Sequence, residues 1–136
     1  MKTLAALLCL LLILSCSGDD FTADCGTWGE FRECRELSDT ELELYNEVRE
    51  CMGVTEELPS PTVVIVSGRS ISCGDVLSSG CQIGGFVGFP ETASNALLSP
   101  VIWKHEFTHE ILELTAGHAD RKHSTVWFET QECIRE

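Results

Sequence analysis

The chain has 136 residues, a length that suits one domain. It carries 22 Asp and Glu against 9 Lys and Arg, a formal charge of −13. That balance argues against nucleic acid as a partner, because phosphates need a basic face.

Residues 1–15 read as a segment that leaves the mature protein. Lys2 gives a short positive start, and residues 4–14 are an almost unbroken apolar run. The run has the length of a signal-peptide core and is too short for a mature spanning helix. It closes on Ile13, Leu14, Ser15 and Cys16. This resembles a bacterial lipobox, in which the cysteine is lipidated and becomes the new N-terminus. The resemblance implies an exported lipoprotein held to a membrane of the cell envelope through Cys16. Ser17 after that cysteine, in place of Asp, implies no retention at an inner membrane, so the outer membrane or periplasmic face is expected.

The chain has 8 cysteines. Cys9 leaves with the signal and Cys16 would carry lipid. Cys25, Cys34, Cys51, Cys73, Cys81 and Cys133 remain, an even set that points to three disulfides in an exported chain. No Cys-x-x-Cys pair argues for a cysteine-ligated zinc. Cys73–Cys81 is the easiest pairing, because Gly74 and Ser78-Ser79-Gly80 let the segment turn back. Cys34–Cys51 would brace the first helix, which leaves Cys25–Cys133.

Residues 16–29 form a tether and lead-in loop, and residues 30–136 the domain. Ser38 and Glu41 make a capping box for a helix continued by Leu42, Tyr45, Val48, Arg49 and Met52 and ended by Gly53. Its many Glu residues read as a solvated face. The β-branched run over residues 62–66 predicts a strand buried on both faces. Residues 70–73 suggest a short strand. Residues 82–89 read as one further strand, weakened by glycines and stopped by Pro90. Such a strand either pairs with an extended peptide or is a plain edge strand with glycine bulges.

Ser99 as cap, Pro100 at the first helical position and Gly117 past the end bound a helix. Val101, Ile102, Trp103, Phe107, Ile111, Leu112 and Leu114 form its apolar arc, with Glu110 and Glu113 on the more polar side. Within it stands His105-Glu106-Phe107-Thr108-His109. Residues four apart share a helix face, so the two imidazoles can serve one ion. Glu106, one step round, can act on a water as general base without being a ligand. Zinc accepts imidazole nitrogen and keeps an open position for catalysis.

A catalytic zinc site needs a third protein ligand. His118, His123 and Glu129 are the candidates. His118 follows the helix-ending glycine too closely for the chain to have turned. Glu129 would need a full second helix. His123 has chain enough to return and precedes Ser124, a plausible cap for a last helix holding Val126, Trp127 and Phe128. His118, Asp120 and Arg121 are second-shell or oxyanion candidates. Asp120 would orient a ligand histidine, and His118 or Arg121 would hold an oxyanion.

The five-residue motif resembles that of the zincin metallopeptidases. The metzincin branch fits poorly, since it wants Gly at Leu112 and His at Thr115. His123-Ser124-x-x-Trp127-Phe128 is similar to the third-ligand segment of SprT-like short zincins. The resemblance covers about residues 99–128. It implies Zn2+ on His105, His109 and His123, Glu106 as base, and hydrolysis of a peptide or protein substrate. It does not extend to the intracellular, DNA-linked substrates of that family. The expected fold is α+β, a small zincin-like domain with a short sheet packed on the active-site helix and braced by disulfides. The rival function is a non-catalytic envelope lipoprotein that keeps this fold for metal or protein binding.

Overall fold

A computed structural model describes residues 23–135. The signal segment and Cys16 lie outside the described residues. The domain contains β1 (Phe31–Arg35), α1 (Asp39–Cys51), β2 (Thr62–Val66), β3 (Ile71–Cys73), β4 (Val76–Ser78), β5 (Cys81–Ile83), β6 (Phe86–Pro90), α2 (Pro100–Ala116), α3 (Val126–Thr130) and α4 (Glu132–Arg135). A single 3-10 turn, Glu91–Ala93, leads towards α2. The class is α+β. Among the described residues no helix is long and apolar enough to cross a membrane.

Four strands form one sheet in the order β1-β2-β6-β5, and β3 and β4 pair separately. β2 and β6 run parallel, and the two outer strands pair antiparallel to their neighbours. The β-branched run of β2 is buried on both faces, as its composition predicts. Val63 and Ile65 join the larger core with Val87, Phe89, Trp103 and Phe107. Val64 and Val66 face the other way, onto Ile71 and Cys81. Helices cover the first face. The β3–β4 hairpin and Trp28 cover the second, so the lead-in loop is packed on the sheet at Trp28.

Residues 82–89 are two strands and not one. Gly84 and Gly85 have φ of +50° and +85° and join β5 to β6 as a two-residue hairpin. Two positive φ angles in succession suit the turn whose twist matches its strands, and glycine adopts them without strain. The glycines therefore turn the chain where a single strand was expected. Pro90 ends β6 from within, as its last residue. β1 and β4 gave no clear signal in the sequence.

α1 begins at the expected capping box. Ser38 Oγ accepts from the Glu41 N–H, and Glu41 Oε2 accepts from the Ser38 N–H at 2.9 Å. Glu41 is an exception to the solvated Glu face, since it is buried and holds Arg35 at 2.7 and 2.9 Å through both carboxylate oxygens.

α2 is the central element. Pro100 opens it and Gly117, at φ +77°, closes it. Ser99 sits at the cap position but makes no side-chain cap bond. Its middle is buried nearly all round, because the sheet lies on one side and α1 and α4 on others. Trp103 anchors it: the indole stacks on Phe89 at 4.0 Å, and Nε1 donates to the Ala93 carbonyl at 2.8 Å. Truncating such a buried aromatic costs about 3–5 kcal/mol. The apolar arc is narrower than expected, since Val101 and Leu114 are exposed. Conversely, Glu110 is buried. Its Oε2 accepts from Gln82 Nε2 of β5 at 2.6 Å, and Glu113 accepts from the same amide. The supposed polar side of α2 is where β5 docks.

Three cysteine pairs stand at disulfide distance: Cys25–Cys34, Cys51–Cys133 and Cys73–Cys81, with Cα separations of 5.8, 5.6 and 5.5 Å. The Cys73–Cys81 expectation holds. Cys34–Cys51 and Cys25–Cys133 are corrected. Cys34 packs with the second cluster, below the sheet, while Cys133 belongs to the helical core above it. The sheet separates Cys34 from α1, so each cysteine pairs on its own side.

Candidate metal centre

α2 presents His105 and His109 one turn apart. The loop after it returns His123 to them. Ligand nitrogens of the three rings all lie within 4.8 Å of one another, close enough to bind a metal ion. His109 Nε2 stands 3.2 Å from His105 Nε2 and 3.2 Å from His123 Nε2. Imidazoles on one tetrahedral zinc, at Zn–N of about 2.0–2.1 Å, would hold their nitrogens roughly 3.3 Å apart. Two of the spacings match that value, and the three rings together are close enough to bind a metal ion.

His109 donates from Nδ1 to the Ala119 carbonyl. A carbonyl only accepts, so the proton sits on Nδ1 and the Nε2 lone pair faces the other rings. Burial, with the neighbouring imidazoles next, pushes His105 down to about 4. Burial likewise pushes His109 down to about 4, against the Ala119 bond. Both rings are then neutral at neutral pH, the form that ligates. Phe128 of α3 lies under all three, with centroids 5.0, 4.4 and 4.5 Å from His105, His109 and His123.

The return loop is built by Asp120. Its Oδ1 accepts from the Ser124 N–H at 2.9 Å and the Ser124 hydroxyl at 2.8 Å. Its Oδ2 accepts from the Thr125 N–H at 2.7 Å. Burial opposes its ionisation, but these bonds outweigh that and hold the carboxyl well below the usual range. The Asp120 carbonyl also accepts from the His123 N–H at 2.8 Å. Asp120 and His123 both have positive φ, +46° and +54°, a conformation that needs such support. Asp120 therefore positions His123 through the backbone, not through its ring. Ser124 is bound to Asp120, and Thr125 takes the cap position of α3 in its place.

Glu106 is buried beside the histidines, at 5% exposure. Burial pushes its carboxyl up to about 8, and the charge of Arg121 opposes that rise. A dication nearby would pull it down further. A cleft of about 550 Å³ opens over the site, walled by the β3–β4 hairpin at Val76 and Ser78, by Gly80 and Ile83, and by Arg121. Arg121 Nη2 donates to the Gln82 carbonyl at 2.8 Å. His118 and Glu129 are exposed, and neither lines the cleft nor joins the three histidines.

Sequence reasoning missed Gly80, Gln82 and the hairpin wall. Only the glycine beside Cys81 hinted at a close approach. No family model, curated protein or solved structure matches this chain.

Proposed function

We propose that this protein is a zinc-dependent endopeptidase of zincin type. The observation that carries the reading is the convergence of three imidazole rings with the buried Glu106 carboxyl at one cleft. His105, His109 and His123 would hold the ion. Bound there, zinc would lower the pKa of a water and polarise the scissile carbonyl. Glu106 takes a proton from the attacking water and passes it to the leaving amine. Its burial suits that work, since a base tuned towards neutrality both accepts and returns a proton. Phe128 and the Asp120 loop keep the rings in place.

Metal analysis beside peptide cleavage tests this. Wild type should carry one zinc and cleave an unbiased peptide library. Glu106→Gln should keep the zinc and lose nearly all turnover. Loss of zinc from that variant, or wild-type turnover, would sink the assignment. Zinc binding with no cleavage of any peptide would favour the non-catalytic lipoprotein.

The setting we propose is the bacterial cell envelope, on the strength of the apolar leader and Cys16. The protein should partition into detergent, and Cys16→Ser should release it or block processing. A Cys16→Ser protein that still partitions with detergent would overturn this.

A further inference from the structure

Arg121 is the one cation among the residues that line the metal cleft. Its guanidinium donates once, from Nη2 to the Gln82 carbonyl. Among the described residues no carboxylate lies within ion-pair distance of it. A guanidinium has five N–H donors in a planar fork, so most of this one remains available to the cleft.

Two anchors fix the group. Its neighbour Asp120 holds the loop by three hydrogen bonds. Gln82 is tied to α2 through Glu110 and Glu113, and its carbonyl in turn holds Arg121. A fixed guanidinium meets a carboxylate with little loss of side-chain freedom. The rest of the wall, at Val76, Ser78 and Ile83, is uncharged. Glu106 is the only acid in the lining and is itself directed to the metal chemistry. The lining thus carries one fork of donors free to meet an anion, in a chain of formal charge −13.

We propose that Arg121 determines the specificity of this cleft by pairing with a carboxylate of the bound peptide, so that anionic peptides are taken over neutral ones. The inference rests on the peptidase reading for its ligand class. The carboxylate can come from an acidic side chain or from a peptide's C-terminus. An arginine that held the reaction's oxyanion would serve every peptide alike. One that holds a substrate carboxylate serves only peptides that have one.

The test uses zinc-loaded Glu106→Gln protein and calorimetry, so that binding is read without turnover. Peptides are paired as Glu against Gln at each position, and as free against amidated C-termini. One acidic form should bind about 10–100-fold more tightly than its neutral twin, the range for hydrogen bonds to charged groups. Whether the Glu or the C-terminal pair shows the effect identifies the source. Adding Arg121→Leu should erase the difference by weakening only the acidic peptide. Arg121→Gln, which keeps a donor for the Gln82 carbonyl, should do the same if the leucine variant fails to fold. Equal weakening of both twins, no discrimination by the Arg121 protein, or no peptide binding at all overturns the proposal. Cleavage without acid preference in the wild type would sink this inference and spare the peptidase reading. Preferential binding without cleavage would do the reverse.

Discussion

Gly80 lies directly against Glu106. A Cβ at Gly80 would sit 2.8 Å from both Cγ and Oε1 of the glutamate. Gly80 is buried and ends the hairpin segment that Cys73–Cys81 closes, so the backbone there has little freedom to withdraw. The carboxylate would have to move instead.

Gly80→Ala should therefore displace the Glu106 carboxylate, the proposed base, and leave the three histidines alone. We expect one zinc per chain, an unchanged KM and a kcat lowered by about 10–100-fold, since small misplacements of a catalytic group cost on that order. Stopped-flow or endpoint peptide assays beside metal analysis would check it. Wild-type kcat would show that Glu106 tolerates the contact.

On the proposed reading, His123→Ala should strip the ion at moderate chelator concentrations, because it removes one of the three clustered histidines, the one on an exposed loop. His118→Ala and Glu129→Ala should hold it, since neither residue reaches the cluster. Asp120→Ala should fall between. It frees the loop without removing a ligand, and outer partners of metal ligands typically contribute about 10–100-fold in affinity. Chelator competition measures all four. Zinc lost from His118→Ala or Glu129→Ala but not from His123→Ala would refute the ligand set.

The centre was largely legible because its signals are local. The spacing of His105 and His109, the Pro100 and Gly117 bounds and the place of His123 each depend on a few neighbouring residues. What failed depends on contacts between distant segments. Gly84 and Gly85 fit a weakened strand as well as a turn until the pairing of Ile83 with Phe86 is known. Glu110 looks solvent-facing by helical period, yet β5 brings Gln82 onto it. Two of the cysteine pairs were misassigned because nothing local says on which side of a sheet a cysteine lies. Cys73–Cys81, separated by 8 residues, needed only a turn.

Cys51–Cys133 closes a separation of 82 residues, against 9 and 8 for the other two. It joins the end of α1 to α4, whose Cys133 is part of the helical core. On chain entropy alone, a loop of that length is worth about 4–5 kcal/mol, and the short loops about 2.5 kcal/mol each. The double substitution Cys51→Ala with Cys133→Ala should accordingly lower stability the most of the three pairs. Denaturant titration of the three double mutants checks the order. A larger loss from removing Cys25–Cys34 would show that local packing, not loop length, sets it.

Glu41 gives the fold an acid-sensitive joint at a distance from the three histidines. Burial raises its pKa, but the Arg35 hydrogen bonds and the Ser38 N–H outweigh this and hold it below the ordinary value of 4.5. A carboxylate whose pKa is lower folded than unfolded binds fewer protons in the native state. Its contribution is therefore fully present above the unfolded value near 4.5 and is lost as pH falls through the folded one. Stability from this group should be flat between pH 8 and roughly pH 5, then decline on further acidification. Glu41→Gln keeps an acceptor for the Ser38 N–H but discards the charge. It should cost about 1–2 kcal/mol at pH 7, the scale of a charge-assisted hydrogen bond that is partly exposed. It should also flatten the decline below pH 5. Melting of both proteins across that range, with zinc held constant, reads the effect. An acid limb equally steep in wild type and variant would place the sensitive group elsewhere.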